Sequence, residues 1–594
     1  LQRRGLSNSP YSIFDHLELS EDLGTDFDGL GHLIKAAETD HSLLSMTDIV
    51  WNHISCDSKH LKSHPEIGYN LENSPHLKLA FDLDEGIISF SRDLKSLYNL
   101  NPDIRSEANL REIMKIFVES HLPKLKLWEY FVLDVGHHVT QLEEMVRELC
   151  SPLLECSING SPQNSSFDPT LIIKAIKNDG RYARFSKYAS MDEISKLYSR
   201  EINGIASAPT ESERSIRISK LLSEFRAALD SLNLENYKVY DEKIQRIYNN
   251  IMARVRYERL DTSGPRLGEI SENSPFVATY FTRLRDKDGK IMVFANNGWI
   301  WNADPLVNFA ESRSDAYFCR DVIIWGDCVK LRYGQFPDDN PWLWDYMTKY
   351  TCQMVSVFHA LRIDNCHSTP IHVAEYLLRK AREVRPELYV CAELFTGSPE
   401  RDMQFIQDLG LNSLIREAMA SCSATDLGRN AVEYGGYRLG SLTRRGIVYN
   451  PHALFADCTH DNETPSQRRT AIEALPNSAV VAMSKCAIAS VLGYDMLVSH
   501  HINIVKDTRH FDSNGMSLKG IGPAKQRLYS LHDLLSDEGY SQIYGNESDG
   551  VITIIRENPV TKESYLCLTF HAFRQALAKK GPFYFFLTFF DSCG

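Results

Sequence analysis

Apolar residues recur along this chain in three rhythms, and each marks off a region. Residues 1–42 are polar and turn-rich, with one helical pattern on Leu30, Ile34 and Ala37. "LLSMTDIVWNH" (43–53) then reads as a buried strand running into a loop, and no apolar strand is predicted ahead of it. From about Asn101 to Leu260 the period is helical. Leu110, Ile113, Ile116 and Phe117 share one face, and "SIRISKLLSEFRAALDSL" and "YDEKIQRIYNNIMARVRYERL" repeat the period with charge opposite. After Gly264, short apolar runs alternate with helices: "KIMVFANNGW", "DVIIWGD", "VSVFHALRID", a helix over "PIHVAEYLLRKAREV", then "ELYVCAEL", "HALFADCTHD" and "NSAVVAMSK". Nearly continuous apolar strands separated by helices predict a parallel sheet covered by helices. Further on, "GVITIIREN" and "SYLCLTF" read as an antiparallel pair joined by "PVTKE".

Composition narrows the class of partner. With 43% hydrophobic and 24% charged residues over 594 positions, the chain is ordinary globular protein. A formal charge of −13 argues against a nucleic-acid surface or a polybasic membrane patch, since both partners are polyanions. The 13 cysteines show neither a CxxC pair nor finger-like spacing, so no metal site and no disulfide framework is expected. That pattern suits a reducing, cytoplasmic location. The aromatic run Phe583–Phe590 is too short to span a bilayer, which needs ~20 residues, and "LQRRGLSNSP" lacks the layout of a signal peptide.

Four predicted strands end in charge. Ligand sites of parallel α/β sheets and barrels lie at the carboxyl ends of the strands, so these ends are the candidate site. "TDIVWNH" supplies Asp48, Asn52 and His53; "ALRIDNCHS" supplies Arg362 and Asp364, which share a face because side chains at i and i+2 do. "ELYVCAELF" ends in Glu393, and "LFADCTHDNE" brings Asp457, His460 and Asp461. Taken singly, Arg362 with Asp364 could be an internal ion pair, and Glu393 or Asp457 could cap a turn. Taken together, four charged strand ends point to one rim, because charged groups are rarely buried unless paired or functional. Two carboxylates suit glycosyl transfer, one as nucleophile and one as acid/base, with a flanking Arg that favours the ionised nucleophile. No phosphate loop, GxSxG elbow, HExxH or nucleotide fingerprint points elsewhere. No cofactor is expected.

The ordered series "DIVWNH", "LRIDNCHS", "CAELFTG" and "THDNE" resembles the four signature regions of the α-amylase clan. The contexts "YNLENSPHLKLAFDLD", "NNGWIWNADPLVNFAE", "IIWGDCVKLRYG", "LIREAMA" and "GYDMLVSHHINIV" are similar to the glucanotransferase half of eukaryotic glycogen debranching enzymes. The resemblance covers most of residues 1–574. It implies a (β/α)8 TIM barrel with Asp364 as nucleophile, Glu393 as acid/base and Asp461 as the third acidic residue. Arg362, His53 and His460 are then substrate-binding companions supported by Asp48 and Asn52, and His367 stands where the family often carries Lys before His. Trp299, Trp301 and Trp325 are candidate sugar platforms, with a place in the core equally open. The expected partners are glycogen and malto-oligosaccharides.

In such barrels the first motif follows the third strand, whereas only 47 residues precede Asp48 here. The expectation is a barrel lacking its first two strands, with a large helical insertion. The division reads 1–100, barrel segment with the first motif; 101–262, helical insertion; 263–510, remaining barrel; 511–574, start of a β-rich region; 575–594, a tail outside the resemblance. The amylo-1,6-glucosidase domain of the family is not expected within the chain. An open barrel exposes two sheet edges, which predicts poor solubility and weak activity. An amylase-like hydrolase and a catalytically impaired glycogen-binding fragment stay open as alternatives. Product analysis separates the first from a transferase, and glycogen binding that survives Asp364→Asn without turnover in the parent marks the second.

Overall fold

The computed structural model describes residues 1–150, 169–261, 264–286, 288–300, 304, 306–436, 452–460, 462, 464–491 and 521–573. The chain divides into two units, one of residues 1–67, 302–308 and 331–594, the other of 68–301 and 309–330.

The first unit is built on six parallel strands: Met46–Ile49, Ala360–Ile363, Tyr389–Ala392, Ser413–Glu417, His452–Ala456 and Ala487–Ala489. They lie side by side in sequence order, each hydrogen-bonded to the next in parallel register. The sheet-with-helices class read from the sequence holds. The connecting helices follow from their apolar spacing. Ile371–Val384 buries Val373, Ala374, Leu377, Leu378 and Ala381, the stripe a 3.6-residue period gives a helix lying on a sheet. Pro399–Leu409 starts with Ser398, whose Oγ accepts the Arg401 N–H, and stops at Gly410 with φ 62°, a left-handed cap that glycine adopts without a Cβ clash.

Several local expectations are corrected. The apolar run from Val355 is not one strand: Val355 and Val357 finish the Pro341–Val357 helix, and the strand begins only at Ala360. "NSAVVAMSK" is a helix, Ala474–Ala482, with Pro476 through Ala482 all buried. A helix buried all round carries no period to separate it from a buried strand. A strand does precede Asp48: Ile13–Leu19 pairs antiparallel with Gln2–Arg4. It escaped notice because Asp15 and His16 interrupt its apolar pattern, yet both are buried, Asp15 accepting from Tyr346 Oη at 2.9 Å and paired with Lys59 Nζ at 2.7 Å.

The antiparallel pair Val551–Glu557 and Ser564–Phe570 is present, with Gln542–Ser548 as a third strand. Ile552, Ile554 and Cys567 from it share a core with Leu528, Leu535, Phe455 and Val480, so this separate sheet packs against the end of the parallel one. Arg556 lies fully buried there, donating to the carbonyls of Ser484 (2.7 Å) and Tyr540 (2.8 Å).

The second unit corrects a further expectation. "KIMVFANNGW" and "DVIIWGD" do not join a parallel sheet; strands Phe281–Arg285, Ile291–Ile300 and Val322–Lys330 run antiparallel. The two long amphipathic patterns are a single 45-residue helix, Glu211–Val255, capped by Thr210. Its first half buries Ile218, Leu221, Phe225 and Leu229 in one cluster, and its last turns bury Ile247, Ile251 and Val255 in another.

Candidate active site

Parallel register assembles the site. Arg362 is paired with Asp48 on one neighbouring strand and with Cys391 on the other. The ladder continues one step past the last paired residues, with the Asp364 N–H donating to Ile49 O and the Glu393 N–H to Ile363 O, both at 3.0 Å. Side chains alternate along a strand, so Asp48, Arg362 and Cys391 make one layer of a single face, and Asp364 and Glu393 stand beside each other in the next. Adjacent strands are ~4.8 Å apart, which sets the two carboxylates side by side rather than across a wide cleft.

Arg362 ties these groups together. Its Nη1 lies 2.9 Å from Asp48 Oδ1 and 3.6 Å from Asp364 Oδ1, and its Nη2 lies 3.2 Å from Glu393 Oε2. The guanidinium therefore serves three carboxylates, not Asp364 alone. Burial acts to lower its pKa, but Asp48, Tyr11, Glu393 and Asp364 more than offset this and the net shift is upward. Glu393 Oε2 also accepts the Asn365 N–H at 2.8 Å. Asn365 adopts φ 45°, a left-handed conformation that Asn tolerates better than most residues. Asn52 Nδ2 donates to the carbonyls of Asp364 and Asn365 at 3.3 and 3.4 Å, so it holds the turn that follows Asp364.

His53 is buried, with Nδ1 2.5 Å from Asn52 Oδ1 and Nε2 2.9 Å from the Tyr11 carbonyl. It reaches the site through Tyr11, a residue the sequence reading did not single out. The Tyr11 hydroxyl lies 3.4 Å from Asp48 Oδ2, 3.4 Å from His460 Nε2 and 3.5 Å from Arg362 Nη1. Its ring stacks on His460 with centroids 5.6 Å apart. Burial, reinforced by the Asp48 charge, pushes the phenol pKa upward, so it is neutral throughout the working range. Tyr11 was hidden in a turn-rich stretch where periodicity gives no signal.

Glu417 was also missed, although charge at a strand end would have found it in "SLIREAMA". It is buried, and its Oε2 accepts from Thr459 Oγ1 (2.6 Å) and Asn462 Nδ2 (2.9 Å). Asp457 is occupied elsewhere: it accepts the Cys458 N–H at 2.8 Å and the Ser478 hydroxyl at 2.8 Å, and its Oδ2 lies 2.7 Å from Lys525 Nζ. His367 is half-buried, with its ring 6.4 Å from that of Phe395. Trp299 and Trp325 are half-buried on the Ile291–Ile300 and Val322–Lys330 strands of the second unit. Asp461 and Trp301 lie outside the described residues.

Among the described residues, one group brings several metal-ligand atoms within 4.8 Å of one another: Asp315, Cys319 and Asp321. Its carboxylates are already paired, Asp315 with Lys243 and Asp321 with Arg246 at 2.8 Å. Burial pushes the Cys319 thiol up to about 12, whereas a metal ligand must be deprotonated. The group is an ion-pair cluster. No helix among the described residues is long and apolar enough to cross a membrane.

Residues 1–389 match the family model described as the glucanotransferase domain of glycogen debranching enzyme, and residues 520–583 match the central domain of the human enzyme. The glycogen debranching enzyme of Saccharomyces cerevisiae is 37% identical over 595 residues, a match covering 91% of this chain and 38% of that protein. The chain thus spans well under half the length of that relative. Two solved structures are distantly similar. The α-amylase of Geobacillus thermoleovorans complexed with acarbose has TM-score 0.28 at 14% identity, covering 41% of this chain and 54% of that one. An α-amylase of Lactobacillus plantarum has TM-score 0.29 at 16% identity, covering 41% and 58%. The fold class rests on the strand order and register above.

Proposed function

Since the chain belongs to the family of glycogen debranching enzyme glucanotransferase domains, we propose that it carries a 4-α-glucanotransferase centre acting on glycogen and malto-oligosaccharides by a retaining double displacement. The supporting observation is the placement of Asp364 and Glu393 on adjacent strand ends with Arg362 against both. Retaining enzymes hold their two carboxyls ~5–5.5 Å apart, whereas inverting ones need ~6.5–9.5 Å to admit a water.

In this reading Asp364 attacks the anomeric carbon of the donor, the C1–O4 bond breaks, and Glu393 gives its proton to the departing O4. The 4-hydroxyl of an acceptor chain then attacks C1 of the Asp364 ester and returns its proton to Glu393, which frees the carboxylate. Arg362 balances the negative charge of the pair. Tyr11 and His460 form an aromatic wall, and Asp48, Asn52 and His53 hold the wall and the Asp364 turn. On the resemblance alone, Asp461 is assigned as the third catalytic acid, and His367, Trp299 and Trp325 as substrate-binding residues. We place the activity in the cytoplasm, in keeping with the free thiols of all described cysteines.

Incubation with maltopentaose tests this. Transfer yields longer and shorter oligosaccharides with no net gain of reducing ends, and Asp364→Asn abolishes it. A reducing end released at each turnover would mean a hydrolase.

A further inference from the structure

The segment carrying Glu393 has no regular structure of its own. From Glu393 to Ser398 the chain is neither helix nor strand, and Gly397 turns it through φ 70°. Something outside must fix where its backbone runs. Glu393 itself is held on both sides by its main chain, the N–H donating to Ile363 O at 3.0 Å and the carbonyl accepting the Cys366 N–H at 2.9 Å, while Arg362 and the Asn365 N–H orient its carboxylate. The turn from Leu394 to Ser398 lies beyond these bonds.

The rest of the segment is anchored from the next strand. Arg416, on Ser413–Glu417, donates through Nη1 to the carbonyl of Leu394, the residue directly after Glu393, at 3.1 Å. Its Nη2 donates to Asp402 Oδ2 at 2.8 Å. Asp402 Oδ1 accepts from Thr396 Oγ1 at 2.6 Å, and that hydroxyl lies 2.9 Å from the Ser398 carbonyl. Both ends of the segment are therefore tied to one ion pair, whose side chains are only 11% and 16% exposed. A planar guanidinium can hold a carbonyl and a carboxylate together, which an ammonium cannot do in the same geometry. Burial pushes the Asp402 carboxyl upward against the pull of Arg416, so the carboxylate depends on this partner.

We infer that Arg416 and Asp402 are positioning residues that set the Glu393 carboxylate at the distance proton transfer requires. The inference rests on the reading of Glu393 as acid/base. A displacement of ~1 Å is enough to cost ~100-fold in rate. The loss should be selective: it should fall on donors whose leaving oxygen needs a proton and spare donors whose leaving group does not.

The test uses Arg416→Gln, Asp402→Asn and Arg416→Lys in the 594-residue chain, with maltopentaose and α-maltotriosyl fluoride as donors. For Arg416→Gln and Asp402→Asn, kcat/KM should fall by about 100-fold with maltopentaose and by less than about 5-fold with the fluoride, and Arg416→Lys should recover part of the difference. Equal losses with both donors, or no loss, would overturn the inference. Glu393→Gln run alongside separates the two claims. If it turns over maltopentaose normally, the acid/base reading fails. If it splits the donors and the Arg416 and Asp402 variants do not, only the positioning claim fails. Hydrogen exchange supplies a readout that needs no turnover. The Asn365 amide and those of Phe395–Ser398 should exchange about tenfold faster in both variants while Ile363 and Ala392 stay protected. Unchanged exchange at Asn365, or faster exchange throughout the sheet in both variants, contradicts it.

Discussion

Arg362 and Asp48 are register partners on neighbouring parallel strands, and their side chains meet at 2.9 Å, closer than Arg362 approaches Asp364 or Glu393. The arginine is thus anchored from the first motif and shared with the carboxylate pair. Arg362→Met would leave the Asp364 and Glu393 carboxylates, 10% and 14% exposed, without their cation, so it should lower transfer by at least ~100-fold and destabilise the chain by ~3–5 kcal/mol. Arg362→Lys should recover stability better than activity, because a point charge cannot face three carboxylates at once. Steady-state kinetics beside thermal melts would show the split.

Tyr11 offers a ring and a hydroxyl, and its polar contacts at 3.4–3.5 Å are at the long edge of hydrogen bonding. Tyr11→Phe is expected to change kcat/KM by less than ~3-fold. Tyr11→Ala also removes the stack on His460, worth ~0.5–1.5 kcal/mol in aromatic pairs, and should raise KM by about 10-fold. Titration with maltopentaose distinguishes the two variants.

Acid should unfold the chain partly through His16. Burial, aided by the charge of His53 and opposed by Asp15, pushes the His16 pKa down to about 3. A base whose folded pKa lies below its unfolded value binds protons better when unfolded, so its contribution is intact above ~6.5 and lost as pH falls toward the folded value. The slope is about 1.4 kcal/mol per pH unit per group within that window. His571 behaves alike, burial again pushing it to about 3. His16→Gln should lower stability at pH 7 and flatten the pH dependence between 6 and 4 by about one proton, read from urea melts across that range.

Asp457 and Lys525 form a buried pair, with side chains 5% and 3% exposed. Breaking such a pair from one side costs ~3–5 kcal/mol. Asp457→Asn should therefore lower the melting temperature while leaving kcat/KM of the folded fraction within ~3-fold, in contrast to Asp364→Asn.

Most of the candidate rim was legible because a buried strand that ends in charge breaks a strong rule. Asp48, Arg362, Asp364 and Glu393 all stood out on that ground, and parallel register then set them on one face. The helix Ala474–Ala482 was not legible, since burial on every side erases the period that tells helix from strand. The Ile13–Leu19 strand was hidden by Asp15 and His16, whose burial depends on Lys59, His60 and Tyr346, the last 330 residues from His16. The antiparallel run of Ile291–Ile300 and Val322–Lys330 was invisible for the same reason: pairing direction is a long-range property. Glu417 and Arg416 were legible by the rule that found the others.

The central claim, that Asp364 is the nucleophile and Glu393 its acid/base partner, is tested most directly by trapping the intermediate. Glu393→Gln is mixed with α-maltotriosyl fluoride and quenched, and the digest is read by mass spectrometry. The account requires a maltotriosyl adduct on the peptide carrying Asp364, and none on Asp364→Asn. An adduct on Asp48 or another carboxylate, or release of fluoride with no adduct at any time, would contradict it.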